Sequence, residues 1–370
     1  MKILELLRMM IEEKASDLYL KVGIPPAMRV NSDVRRLKGD PITEEDMIES
    51  SQILLTTYQL KMFENRPELD FAYNLDSGDR FRINLFRQQG HIGLVARHIS
   101  DSDLSFASLH LPPVMQEMAA LPRGLIVITG ATGSGKSTTL AAMIHFMNKN
   151  LNRHIVTIED PIEFIHVDDQ CIINQREVGY DTNNFQDALR HVVRQSPDVI
   201  LIGEMRDQET MLTAISAAET GHLVLTTLHT VDVFHSLDRI INYFPDHLKS
   251  QVRQELSLCL EGIVSMRLLR RADGAGRIPA LEIMRSTPTI RKCLVENELW
   301  KMRELMQKGR EAGMQTFNQA LLDLFKQEVI TFEEAMAASS NPDEFRLNSK
   351  GFFTGTDSIG LYEAGQTMNS

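Results

Sequence analysis

The spacing of apolar positions over the first hundred residues predicts a mixed α and β domain. Apolar side chains recur every three or four positions near the amino terminus, which predicts an amphipathic helix over residues 3–15. Thr43, followed by two glutamates, predicts the cap of a second helix that continues past Ile53. Shorter runs bounded by turn residues predict strands over residues 17–22, 27–30, 70–75, 80–86 and 92–99. We therefore expect an α+β domain at residues 1–99, built on an antiparallel sheet.

The pattern changes in the second part of the chain. Short apolar runs, typical of buried strands, occur at residues 125–129, 155–158, 199–202 and 223–227. Helical spacing follows at residues 207–218, 248–266 and 315–326. Alternation of buried strands with helices predicts a parallel sheet with crossover helices, an α/β domain at residues 113–345.

The remaining residues predict a linker and a tail. A polar cluster at residues 100–105 and the Leu-Pro-Pro sequence at 111–113 predict a linker over residues 100–112. After Pro342 the chain is rich in small polar residues, so we expect a loosely held segment, with a flexible tail at residues 346–370.

The most specific motif is the sequence G-x-x-x-x-G-K-S at residues 130–137, which lies between a predicted strand and a predicted helix. Glycines allow backbone N–H groups to face an anion, and the start of a helix adds partial positive charge there. Lys136 is expected to reach the β and γ phosphates of ATP, and Ser137 is expected to bind Mg²⁺. The residues predicted to contact the nucleotide are Gly130, Thr132, Gly133, Ser134, Gly135, Lys136, Ser137 and Thr138.

Two later strands end in acidic residues. Glu159 and Glu163 flank Pro161, which ends the strand and places the acids on a turn near the nucleotide, where one could orient the attacking water. A solvated acidic turn is the alternative interpretation. Glu204 follows four apolar residues, the usual form of the strand that holds the Mg²⁺ water in phosphate-loop enzymes.

Two histidines flank the last predicted parallel strand. His222 and His229 would lie roughly 20 Å apart across an extended strand, so they cannot bind one metal ion. His229, at the carboxyl end, could sense the γ phosphate or reach across a subunit boundary. On spacing alone, His222 is interpreted as structural.

Composition limits the function classes. The chain has 370 residues, of which 43% are hydrophobic, enough for two domain cores. Its three cysteines show no zinc-site spacing, and its net charge of −11 argues against a general nucleic-acid binder, although a basic pore could lie within an acidic total. No apolar run approaches the ~18 residues of a membrane span, so we expect a cytoplasmic protein without membrane insertion.

Four segments together resemble a known family. GATGSGKST, VTIEDPIEF, DVILIGEMRD and TGHLVLTTLHT are similar to the Walker A, Asp, Walker B and His boxes of the secretion-superfamily ATPases. Within them the chain resembles the type IV pilus retraction motors of the PilT and PilU kind, over about residues 1–345. The resemblance implies a PAS-like N-terminal domain followed by a RecA-like ATPase domain, assembled as a homo-hexamer.

The resemblance also implies residue roles. Glu163 would be the general base that aligns water, Glu204 the acid near Mg²⁺, and Glu159 a supporting acid. The other matching residues are the His-box pair, with His222 expected among the residues that bind the nucleotide and His229 among the catalytic residues, and the N-domain arginines Arg82 and Arg97. In the family such arginines reach a nucleotide within the ring and compensate the charge of the transition state.

Departures from the family patterns narrow the expectation. The chain lacks the tetracysteine insert of the extension and type II secretion motors, which indicates retraction. Ser-Asp-Leu-Tyr at residues 16–19 differs from the Ser-Asp-Leu-His of PilT-like motors, and residues 289–296 match only half of their Ala-Ile-Arg-Asn-Leu-Ile-Arg-Glu helix. These differences favour the PilU branch.

The expected partners are the inner-membrane pilus platform protein and a paralogous retraction ATPase, at the cytoplasmic side of the inner membrane. Two alternatives remain at this point: an accessory nucleotide-binding subunit with little activity alone, and a RecA-fold nucleic-acid translocase.

Overall fold

The computed structural model of the chain describes residues 2–30, 33–99 and 103–352, and its contacts divide it into two compact units. The first unit consists of Met1–Ser102 together with Pro161–Phe164, and the second of Asp103–Asp160 and Ile165–Ser370. The four residues of Pro161–Phe164 therefore group with the first unit, although both of their flanks belong to the second.

The first unit is an antiparallel sheet with three helices. In chain order its elements are α1 (Ile3–Glu12), β1 (Asp17–Lys21), β2 (Ala27–Val30), β3 (Asp33–Arg36), α2 (Glu44–Leu54), α3 (Thr57–Asn65), β4 (Glu68–Asn74), β5 (Arg80–Gln88) and β6 (His91–Ile99). The strand order is β3-β2-β1-β6-β5-β4, and every neighbouring pair is antiparallel.

Most of the patterns in this unit predict the observed elements. The amphipathic stripe of α1 is buried, and the hydroxyl of Thr43 caps α2 by accepting a 3.1 Å hydrogen bond from the N–H of Asp46. The predicted hairpin is the β4–β5 pair. Strand β3 and helix α3 were not predicted. All four residues of β3 are exposed, so the strand has no apolar period to detect.

The second unit is a largely parallel sheet with helices on both faces. Its elements are α4 (Val114–Ala120), β7 (Gly124–Thr129), α5 (Lys136–Asn150), β8 (His154–Glu159), β9 (Ile172–Glu177), α6 (Phe185–Val192), β10 (Val199–Ile202), α7 (Gln208–Glu219), β11 (Leu223–Leu228), α8 (Val233–Asn242), α9 (Asp246–Cys259), β12 (Leu260–Arg270), β13 (Arg277–Arg285), α10 (Pro288–Val295), α11 (Met302–Lys308), α12 (Phe317–Lys326), α13 (Phe332–Ala338) and α14 (Pro342–Ser349). The strand order is β13-β12-β7-β11-β10-β8-β9, with only β13 antiparallel to its neighbour. The predicted α/β class is confirmed.

The expectation of one helix over residues 248–266 is wrong. Helix α9 ends at Cys259, and strand β12 follows, paired with β7 on one side and β13 on the other. Because β12 is buried on both faces, its apolar run has no period that separates strand from helix. Gly262 marks the close packing of this strand: an added Cβ would lie 2.8 Å from the carbonyl oxygen of Met284 in β13.

The expectation of a loosely held segment after Pro342 is wrong for residues 343–349, which belong to α14. Asn341 caps this helix, and Phe345 is fully buried against the rings of Phe325 and Phe332. Residues 353–370 of the expected tail lie outside the described residues.

Part of the expected linker also packs into a core. Phe106 and Leu111 are buried in the apolar cluster that contains α4, α5 and one face of the parallel sheet. Residues 100–102 lie outside the described ranges.

Candidate nucleotide-binding site

The topology of the second unit brings four chain segments to one edge of the parallel sheet. Thr129, the last residue of β7, pairs in register with Leu228, the last residue of β11. Ile202 at the end of β10 pairs with Thr226 on one side and with Ile158 on the other. The segments that follow these strands therefore meet at the carboxyl edge, where α/β sheets bind their ligands.

The glycine-rich loop connects β7 to α5. Gly130 has φ +148°, and a Cβ there would lie 2.4 Å from the hydroxyl oxygen of Ser134 and 2.7 Å from the carbonyl oxygen of Met266. Gly135, with φ +98°, caps α5 in the left-handed region that glycine adopts most easily. The loop therefore needs glycine at both positions to turn from the strand into the helix.

Lys136 begins α5 and turns back over the loop. Its ammonium group donates 2.9 Å hydrogen bonds to the carbonyl oxygens of Gly130 and Ala131, and the residue is buried. Thr132 and Gly133 are exposed at the tip of the loop, while Ser137 and Thr138 are half-buried in the first turn of the helix. All residues that the sequence predicts to contact the phosphates therefore lie on one loop and one helix start.

These residues fit a phosphate group. The hydroxyl oxygen of Ser134 is buried and has no hydrogen-bond partner within the part of the chain that the structure describes. An added Cβ on Gly130 would occupy the same space, so only glycine leaves this hydroxyl room. The first N–H groups of α5 and an ammonium group complete a set of donors suited to an anion.

Glu204 lies two residues after β10, with 19% of its side chain exposed. Its Oε2 atom accepts a 2.8 Å hydrogen bond from Nε of Arg206 and forms an ion pair with Nη2 of the same residue at 2.7 Å. The Nε2 atom of His229 lies 3.5 Å from the same oxygen. Glu204 and His229, from adjacent strands, are therefore brought together.

Arg206 was not predicted as a site residue. The hydrogen bond to Glu204 and then its charge raise the pKa of the guanidinium group, and Asp160 adds to the effect. The signal in the sequence was the Glu-x-Arg spacing within DVILIGEMRD, which places the two side chains on the same side of an extended segment.

The segment after β8 carries the other two acids. Glu159, the last residue of β8, accepts hydrogen bonds from Thr157 at 2.7 Å and from Gln175 at 3.3 Å. Glu163 is half-buried and lies in the segment Pro161–Phe164, which groups with the first unit. Within that unit, Arg80 donates a 3.2 Å hydrogen bond to the carbonyl oxygen of Ile162.

Three arginines on strands β5 and β6 of the first unit share one face of their sheet. Arg82 on β5 lies directly opposite Arg97 on β6. Arg80 is two residues before Arg82 and so points to the same face. Arg97 donates a 2.8 Å hydrogen bond to Asp17 and is 66% exposed. The family resemblance identifies Arg82 and Arg97. The alternation of side chains along β5 could have identified Arg80 as a third arginine on the same face.

His222 lies at the opposite edge of the sheet from His229. It precedes β11, where its Nδ1 atom is 2.9 Å from the carbonyl oxygen of Ala217. Its own carbonyl accepts a 3.0 Å hydrogen bond from Gly124, at the start of β7. A contact between His222 and the phosphate loop of the same chain is therefore not formed, and its role at a nucleotide stays a prediction.

Two kinds of feature are absent from the described residues: a preformed metal cluster and a membrane-spanning helix. Within them, no three His, Cys, Asp or Glu side chains lie close enough together to bind a metal ion. An Mg²⁺ ion held by Ser137 and Glu204 would need phosphate and water for its other ligands. In the described ranges no helix has both the length and the apolarity to cross a membrane.

The chain is similar to known proteins over most of its length. The family described as "Type II/IV secretion system protein" matches residues 103–337. The chain is 42% identical to the type IV pilus ATPase PilU of Pseudomonas aeruginosa, covering 95% of this chain and 92% of that protein. It is also 42% identical to the pilus retraction ATPase PilT of the same species, covering 93% of this chain and all of that protein.

A solved structure is similar over almost the same range. The crystal structure of the pilus retraction motor PilT with bound ADP matches with a TM-score of 0.87 and 42% identity. The match covers 93% of this chain and 98% of that one.

Proposed function

This chain belongs to the type II/IV secretion system protein family, and we propose that it is an ATPase motor that powers type IV pilus retraction. The observation that carries the proposal is the shared edge of the parallel sheet. There the glycine-rich loop, Glu204 and His229 follow three strands that are neighbours in the sheet. The extensive similarity to PilU and PilT supports retraction as the work that this site drives.

In this proposal the nucleotide binds to the glycine-rich loop and the start of α5. Backbone N–H groups of Gly133, Gly135 and Lys136 cradle the phosphates, and the ammonium group of Lys136 moves from the loop carbonyls to the β and γ phosphate oxygens. Ser134 supplies the buried hydroxyl that lacks a partner within the described residues. Thr132 and Thr138 line the loop and the helix start on either side.

Hydrolysis needs a base, a metal site and compensation of charge. Glu163 accepts the proton of the attacking water, and Glu159 supports it from the end of β8. Ser137 and Glu204 would hold Mg²⁺, which would neutralise charge on the phosphates. His229, beside Glu204, is placed to sense the γ phosphate.

We place the complete site between subunits of a homo-hexameric ring. Arg82 and Arg97 of one subunit reach the nucleotide of another and stabilise the transition state, as arginine fingers do. Closure of the ring interfaces during turnover would move an inner-membrane pilus platform protein, with a paralogous retraction ATPase as a second partner. The proposed location is the cytoplasmic side of the inner membrane, with no nucleic acid involved.

A second candidate is an accessory nucleotide-binding subunit of such a motor. Helix α10 favours this candidate, because it contains most of the segment at residues 289–296 that departs from the PilT-like pattern. There, Cys293 is buried and Lys292 is 71% exposed, next to Glu296. An altered surface on this helix would weaken independent work on a pilus without removing nucleotide binding.

The steady-state ATPase rate as a function of protein concentration tests the proposal. The rate per subunit should rise with concentration, because the site is completed by a neighbour. Lys136→Ala should remove both binding and turnover, whereas Glu163→Gln should retain binding and lose turnover. Bound nucleotide with no turnover by the native chain at any concentration would favour the accessory subunit.

A further inference from the structure

Four hydroxyl groups form a buried chain beneath the nucleotide-binding edge of the sheet. The hydroxyl oxygen of Thr230 lies 2.6 Å from that of Ser236, which is 3.4 Å from that of Thr129. The hydroxyl oxygen of Thr129 in turn lies 2.7 Å from that of Ser265. Thr129, Ser236 and Ser265 are fully buried, and Thr230 is 7% exposed. The four residues come from β7, the loop after β11, α8 and β12.

Ser236 is the residue that contacts both threonine hydroxyls. Its hydroxyl donates to the backbone carbonyl oxygen of Asp232 at 2.6 Å or to the hydroxyl oxygen of Thr129 at 3.4 Å, and it can accept a 2.6 Å hydrogen bond from the hydroxyl of Thr230. The hydroxyls of Thr129 and Ser265 are joined by a 2.7 Å hydrogen bond in which either can be the donor. Loss of the Ser236 hydroxyl would therefore remove the close partner of Thr230 and the contact between the two threonines, while Thr129 keeps its bond to Ser265.

Two members of this hydroxyl chain lie next to residues of the proposed site. Thr129 directly precedes Gly130, the first residue of the phosphate loop. Thr230 directly follows His229, whose ring approaches Glu204. Ser236 thus contacts both the residue before the phosphate loop and the residue after the histidine that would sense the γ phosphate.

The loop that carries His229 has further anchors on the α8 side. Asp232 caps α8 by accepting a 2.8 Å hydrogen bond from the N–H of His235. Glu282 of β13 accepts a 2.9 Å hydrogen bond from the N–H of Val233. These contacts fix the start of α8, so Ser236, one turn into the helix, is a rigid reference point for Thr230.

We propose that Ser236 is a positioning residue that holds His229 in register with the phosphate loop through its hydroxyl contacts to Thr230 and Thr129. The proposal rests on the ATPase function argued above. Its consequence is that Ser236 affects turnover only through His229, and does not affect the affinity for nucleotide.

A double-mutant cycle on kcat tests the proposal. Ser236→Ala should lower kcat about tenfold, with the KM for ATP unchanged within about twofold, the pattern of an interaction used only in the transition state. His229→Ala should lower kcat at least as much. The double variant should be no slower than His229→Ala alone, because the serine acts through the histidine. Thr230→Val removes the hydroxyl through which Ser236 contacts the loop of His229, so it should reproduce the effect of Ser236→Ala on kcat and KM.

Ser257→Ala is the matched control. Ser257 is a buried serine of α9 whose hydroxyl donates a 2.6 Å hydrogen bond to the carbonyl oxygen of Gln254. Its loss should lower the thermal midpoint without changing kcat. Multiplicative losses in the Ser236→Ala/His229→Ala double variant, or an unchanged kcat in both Ser236→Ala and Thr230→Val, would overturn the proposal. Absence of turnover by the native chain would instead contradict the ATPase function itself.

Discussion

Arg206 contacts a single carboxylate oxygen of Glu204 through two nitrogens: its Nε atom donates a 2.8 Å hydrogen bond, and its Nη2 atom lies 2.7 Å from the same oxygen as an ion pair. The guanidinium group of Arg206 is 66% exposed, whereas the carboxylate of Glu204 is 19% exposed. The arginine therefore approaches the acid from the solvent side. It both orients the carboxylate and neutralises part of its charge, at the side chain that we propose as a ligand of Mg²⁺.

Replacing Arg206 should separate these two effects. Arg206→Ala leaves Glu204 more negative and free to rotate, so the Mg²⁺ concentration for half-maximal rate should fall about threefold while kcat also falls. Arg206→Lys retains the positive charge but lacks the planar guanidinium group that orients the carboxylate. Its Mg²⁺ dependence should therefore stay native while kcat falls. Magnesium titrations of the ATPase rate measure both quantities.

Arg190→Ala is the control for this prediction. Arg190 pairs with Glu209 on neighbouring helices, with 65% and 46% of the two side chains exposed. Its loss should change neither quantity. An Arg206→Ala variant with native kcat and native Mg²⁺ dependence would show that the pair has no role at the site.

Gly130 tests the geometry of the phosphate loop. In Gly130→Ala the added Cβ would meet the hydroxyl of Ser134 and the backbone oxygen of Met266 at 2.4 and 2.7 Å, so the loop must shift. We expect the affinity for a fluorescent ADP analogue to fall at least about tenfold. Gly274→Ala, with φ +71° and no atom within 4 Å of the added Cβ, should show the backbone strain alone and bind nucleotide normally.

Phe345 tests whether α14 belongs to the folded ATPase unit. The ring is fully buried against two other phenylalanines, so Phe345→Ala should lower the free energy of unfolding by about 3–5 kcal/mol. Phe352, which is 66% exposed, should change it by less than about 0.5 kcal/mol when replaced by alanine. Equal effects of the two variants in denaturant titrations would contradict the packing of this helix.

His166 predicts a pH dependence of stability. Burial, and then the nearby charge of His145, lower its pKa from 6.5 to about 4 in the folded chain. Between those values the unfolded chain binds a proton that the folded chain does not, so stability is complete above pH 6.5 and falls as the pH drops towards 4. A shift of this size corresponds to at most about 3 kcal/mol.

His166→Gln should therefore flatten the pH dependence of the unfolding free energy over that interval. His247→Gln, at an exposed position of α9, is the control and should leave the slope unchanged. A native slope in His166→Gln would assign the acid sensitivity to other groups.

Sequence reasoning located the elements whose side chains leave a periodic or chemical trace. Examples are the phosphate loop, the helix cap Thr43 and the alternating hairpin. In each of them the conformation that the residues prefer locally agrees with their place in the fold. Strand β12 was not predicted, because burial on both faces removes the alternation of apolar and polar residues that identifies a strand. Helix α14 was not predicted, because its main apolar anchor is the buried ring of Phe345 in an otherwise largely polar segment.

The same reasoning predicted single site residues better than their partners. Glu204 was identified by the strand before it, but the hydrogen bonds of Arg206 depend on how the chain turns after β10. The hydroxyl chain through Ser236 joins residues up to 136 positions apart, which no local pattern reveals. His222 and His229 flank one strand, and the position of His229 at its carboxyl end already separates them in the sequence; the contact of His229 with Glu204 is what the structure adds.

Mixing two inactive variants tests the shared site most directly. Lys136→Ala chains cannot use their own loop but retain Arg82 and Arg97, whereas the double variant Arg82→Ala/Arg97→Ala retains the loop and lacks the arginines. If the site forms between subunits, rings that contain both variants rebuild complete sites. We therefore expect the ATPase rate of the mixture to rise well above the sum of the two separate rates, with a maximum near equal proportions. A rate that never exceeds that sum, although the variants assemble together, would contradict the account.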